Sequence, residues 1–105
     1  MSLDEVRQRA LDRLAVPYDK AVAASHDPYW NHGRGNVQTW VAHAFHAAID
    51  QVTRHVAFST ESDRVYLARL AGLVRELRGH GPDADDESWF DSAIDEAASI
   101  IETAS

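Results

Sequence analysis

The sequence predicts an all-α fold, a four-helix up-and-down type bundle forming a single domain over residues 1–105, with helix 1 kinked or broken near Pro17. Three observations lead there. Apolar residues recur at helical spacing in four stretches, no run of alternating β-branched residues is long enough for a strand, and strong punctuation falls between the stretches. At 105 residues the chain has the usual length of one domain, enough to bury roughly two-thirds of its unfolded surface.

Helix 1 opens on Ser2 and Glu5, which have the spacing of a capping box, and Leu3, Val6, Ala10 and Leu14 mark one face. Pro17 lacks an amide donor and disfavours helical geometry at Val16, so a break is expected there, with Tyr18 to Ala24 resuming as a second piece. Asp27-Pro28 and the glycines at 33 and 35 read as a loop.

Asn36 is the expected N-cap of helix 2, which should run to about Phe58. On a helical wheel Val37, Val41, Ala44, Phe45, Ala48, Val52 and Val56 share one stripe, the side that faces a core. Helix 3 should start between Thr60 and Ser62 and carry Tyr66, Leu67, Leu70, Leu73, Val74 and Leu77, with Gly79 as its stop. Asp85 or Asp86 should cap helix 4, where Phe90, Ala93, Ile94, Ala97 and Ile101 line one side and Trp89 and Ile100 widen it. Short links between helices 2 and 3 and between 3 and 4 favour antiparallel neighbours.

Composition narrows the function classes. The chain has no cysteine, which rules out disulfide frameworks, thiolate zinc sites and thiol catalysis; a cytoplasmic location is the expectation. The charged opening MSLDEVRQR does not have the form of a secretory signal, and no apolar run approaches the roughly 18 residues of a membrane span. Formal net charge is −7, and residues 83–105 carry eight acids with no lysine or arginine. Such a balance disfavours nucleic acid and anionic membrane as partners. Arg64, Arg75 and Arg78 share an edge of helix 3, and Asp91, Asp95 or Glu102 on an antiparallel helix 4 are suited to oppose it.

The segment HDPYWNHGRGNVQTWVAHAFH, residues 26–46, holds four of the six histidines and two of the three tryptophans. The helical wheel puts His43, His46 and Asp50 opposite the core stripe of helix 2. Residues three and four apart are neighbours on a helix, so the two imidazoles are suited to a divalent transition metal, with Asp50 as third ligand or as the group that orients His46. Because His43 and Asp50 lie about 10 Å apart along the axis, a further ligand is needed, and His26 and His32 from the preceding loop are the candidates. His55, near the core stripe, reads as a boundary residue with one hydrogen-bond partner. The paired ExxH motifs of carboxylate-bridged metal bundles are absent.

A second candidate lies in the loop itself. His32, Gly33, Arg34, Gly35 and Asn36 combine flexible backbone, a positive charge and a helix start, a set that suits an anion, although the strand and Lys-Ser/Thr ending of a phosphate-binding loop are missing. No nucleophile with its base is legible, and Ser59, Thr60 and Ser62 are accounted for by capping. The favoured expectation is therefore a non-enzymatic interaction or regulatory module with no cofactor. It would present its acidic C-terminal helix (Asp91, Asp95, Glu96) or its aromatic and histidine-rich end (Trp30) to another protein or to a second copy of itself. The alternative is a metal- or small-ligand-binding bundle using His43, His46 and Asp50 with the loop histidines.

Overall fold

Four helices follow one another: α1 (Leu3–Ser25), α2 (Val37–Arg54), α3 (Asp63–Arg75) and α4 (Ala84–Glu102). They belong to a computed structural model that describes residues 3–25, 37–58, 60–79 and 84–104; among these there is no strand. Asn36, the expected cap of α2, lies outside the described residues.

α1 is one helix with Pro17 inside it, not two pieces. The reason is burial on both sides of the proline: Val6, Ala10 and Leu14 before it and Ala21 after it are all in the core. Fully burying side chains such as Val6 and Leu14 is worth roughly 1.5–3 kcal/mol each. An interior proline costs about 3 kcal/mol. Tertiary packing therefore outweighs the local penalty, and the Tyr18 to Ala24 segment continues the same rod.

α2 buries Ala44, Phe45, Ala48 and Val52, the centre of the expected stripe, and Val41 packs against the core from its edge. Val56 departs from that stripe. The helix stops at Arg54, four residues before Phe58, so Val56 leaves the helical register and is 57 % exposed.

α3 starts where expected. Ser62, in extended geometry, accepts a hydrogen bond from the Val65 amide at 3.3 Å. Tyr66, Leu67, Leu70, Ala71 and Val74 are buried, and after Arg75 a run of turns ends at Gly79, whose φ of 83° is a conformation that L side chains rarely adopt. α4 begins at Ala84, so Asp85 and Asp86 lie within its first turn and do not precede it as caps. Phe90, Ala93, Ile94, Ala97, Ala98 and Ile101 form its buried face; Trp89 is half exposed and does not extend that face.

α4 lies between α2 and α3 and packs on both, while α1 packs chiefly on α2. α2 and α3, consecutive in the chain, touch only lightly and sit diagonally across the bundle. Directions follow from the cross-helix contacts. Tyr18 meets His46, Arg13 donates to the Thr103 carbonyl at 2.8 Å, and Arg78 and Gly79 at the end of α3 meet Asp95 and Asp91. The order is up-down-up-down. The Arg13 guanidinium also places a positive charge at the C-terminal end of α4, where free carbonyls favour it. No helix among the described residues is long and apolar enough to cross a membrane.

Candidate functional site

The outer face of α2 carries the expected histidines. His43 and His46 are exposed, turned away from Ala44, Phe45 and Ala48 as the wheel requires. Each ring has an aromatic neighbour: Trp40 beside His43 with centroids 5.5 Å apart, and Tyr18 of α1 beside His46 at 6.0 Å. Both imidazoles, Tyr18, Thr39 and Ala42 line a cleft of about 250 Å³. Neither imidazole hydrogen-bonds another described residue.

Asp50 does not join them. Its carboxylate pairs with Arg54 one turn further on, Nε to Oδ2 at 3.0 Å. Among the described residues no three or more His, Asp or Glu side chains group closely enough to hold a metal ion. His26, His32, Gly33, Arg34, Gly35, Asn36 and Trp30, which the loop readings depend on, lie outside the described residues. His55 has the single partner expected of it, with Nε2 3.1 Å from Gln51 Oε1.

Much of the acidic helix is already engaged inside the fold. Asp91 accepts a hydrogen bond from the Gly79 amide at 2.9 Å, Asp95 lies 3.6 Å from Arg78, and Glu102 pairs with Arg75. The Arg75 guanidinium holds the Glu102 carboxyl below its ordinary range. Two of the three expected partners of the α3 arginine edge, Asp95 and Glu102, are thus found on it, while Asp91 is taken up by the Gly79 amide. Glu96 stays exposed and lines a second groove of about 380 Å³ with Pro17, Lys20, Ala21, Ala24, Val41 and Phe45.

The most heavily built polar cluster lies in the turn between α2 and α3. Arg69 donates from Nε to Glu61 Oε2 and from Nη2 to Glu61 Oε1, both at 2.9 Å, and its Nη2 also donates to the Val56 carbonyl at 2.8 Å. Only 8 % of the Glu61 side chain is exposed. The same carboxylate accepts the Phe58 amide at 2.7 Å, and the Glu61 amide donates back to the Phe58 carbonyl at 3.0 Å. The hydrogen bond from Arg69, and after it that from the Phe58 amide, keeps the Glu61 carboxyl below its usual range, and the pairing raises Arg69 in turn. Tyr66, whose phenol burial pushes upward in pKa, donates to the His55 carbonyl at 2.7 Å.

Around this frame sit three exposed apolar side chains. Val56 is 57 %, Phe58 60 % and Val65 55 % exposed. All three adjoin Arg69: its guanidinium carbon lies 4.3 Å from the Phe58 ring centroid, it bonds the Val56 carbonyl, and Val65 is one helical turn before it.

Comparison with protein-family models, curated proteins and solved structures finds no match. The braced turn was not singled out from sequence. Glu61 and Arg69 stand eight residues apart with a helix start between them, and the available signal was only a carboxylate just before the Ser62 cap followed by an arginine two turns into α3.

Proposed function

We propose that the chain is a non-enzymatic protein–protein interaction module, and that its docking surface is the α2–α3 turn. The observation that carries this reading is the joint exposure of Val56, Phe58 and Val65 around Arg69, on a helix whose Tyr66, Leu67, Leu70 and Val74 are buried. Clustered exposed apolar groups mark interaction sites on soluble domains. Here the backbone beneath them is fixed by a bidentate ion pair and reciprocal hydrogen bonds, so little conformational freedom is lost on binding. An arginine stacked on an aromatic ring is also the kind of group that dominates interfaces. Arg64, exposed beside Val65, suits a partner element that is apolar with an acidic residue at its edge. Presentation of the acidic helix has less support, because Asp91 and Asp95 are bonded to Gly79 and Arg78.

A photoactivatable benzoyl-phenylalanine at position 58, with the same group at exposed Ser99 on α4 as control, tests the reading in the native cell. One defined cross-linked protein from position 58, lost on Val65→Ser and absent from position 99, is the expected result. Cross-linking from position 99 alone, or none from position 58, overturns it.

A further inference from the structure

The α1–α2 face suggests a second, separate capability. His43 and His46 are presented on successive turns, exposed, and line one cleft with Tyr18 and Thr39. Side chains three apart on a helix have Cβ atoms about 5–6 Å apart, a spacing from which two imidazoles can lean onto one ion. Trp40 stands beside the His43 ring and Tyr18 beside the His46 ring, so an aromatic side chain adjoins each imidazole. The cleft, about 250 Å³, has space for an ion that retains several waters, each occupying roughly 30 Å³.

We infer that His43 and His46, with Tyr18 as an oxygen donor from the neighbouring helix, form a surface site for a divalent transition-metal ion of the imidazole-preferring kind, such as zinc or copper(II). The donor set is nitrogen-rich and contains no carboxylate, which selects against magnesium and calcium. Asp50, the carboxylate on the same face of α2, is held by Arg54 and takes no part. The site is independent of the α2–α3 turn, and neither proposal needs the other.

The test is calorimetric titration of the untagged full chain with zinc chloride, paired with the electron paramagnetic resonance spectrum of the copper(II)-loaded protein. One ion per chain and a copper spectrum with two nitrogen ligands are expected. His43→Ala and His46→Ala should each weaken zinc binding at least tenfold and the double variant should abolish it, with helical circular dichroism unchanged because both side chains are exposed. Tyr18→Phe, which keeps a ring against His46, should weaken binding severalfold, and Asp50→Asn should leave it within twofold. Zinc binding that survives the double histidine variant overturns the site. So does Asp50→Asn losing as much affinity as His43→Ala, or Tyr18→Phe binding as tightly as the wild type.

Discussion

Glu61 grips Arg69 with both carboxylate oxygens while sharing one of them with the Phe58 amide, so a single acidic side chain closes the turn locally and ties it to the second turn of α3. The pair is largely shielded, with 8 % of the Glu61 and 26 % of the Arg69 side chain exposed. The Arg78–Asp95 pair is 3.6 Å apart and about half exposed at both ends. One pair is a structural clasp and the other is surface complementarity.

The Glu61 clasp makes a pH prediction. Its carboxyl is lowered in the folded chain from an ordinary value of 4.5, so the unfolded state takes up a proton first as the medium is acidified. The stabilisation is complete above about pH 4.5 and disappears as pH falls through the lower folded value. Urea midpoints measured from pH 7 downward should show this loss below pH 4.5. Glu61→Gln should flatten part of that slope, the Arg75–Glu102 pair supplying another part with the same sign. An unchanged slope in Glu61→Gln refutes the assignment.

Charge changes on α4 should register in stability. Asp91→Ala removes the acceptor of the Gly79 amide and should cost about 1 kcal/mol. Arg78→Asp should cost under about 1 kcal/mol, with recovery in Arg78→Asp/Asp95→Arg, since this pair is largely solvated. Chemical denaturation of the single and double variants measures both.

Val56 and Leu70 provide a contrast between an apolar residue on the surface and one in the core. Leu70→Ala should lose about 2–5 kcal/mol, because its side chain is completely buried. Val56→Ala should stay within about 0.5 kcal/mol. Comparable losses at the two positions would place Val56 back in the core.

Pro17→Ala restores an amide that can donate to the Arg13 carbonyl inside an uninterrupted helix. Stability should rise, by up to about 3 kcal/mol on the scale of interior proline penalties. A fall in thermal midpoint would show that the proline ring contributes packing that alanine cannot replace.

What the sequence revealed and what it hid follow the range of the interactions. The stripe Ala44, Phe45, Ala48, Val52, the Ser62 cap and the pairing of Arg75 and Arg78 with acids of α4 depend on periodicity, a local cap and charge on facing edges, all readable from residue order. The outward direction of His43 and His46 was readable for the same reason. The end of α2 was not. Its boundary at Arg54 goes with carbonyls of His55 and Val56 that accept hydrogen bonds from Tyr66 and Arg69, residues 11 and 13 positions away. Asp50 pairs with Arg54 and not with His46, a competition that the i, i+4 spacing of the two already permits. The path of α1 through Pro17 depended on partners supplied by other helices.

The buried side of α4 alternates bulk with near-absence of bulk: Ala93, Ala97 and Ala98 stand between Phe90, Ile94 and Ile101. A rod that slender in the middle of the assembly leaves its neighbours no slack, so enlarging any of those three positions must displace a whole rod and not just one side chain. Chain variants that keep this architecture should therefore tolerate change at exposed His43 and His46, yet hold to methyl-sized groups at 93, 97 and 98.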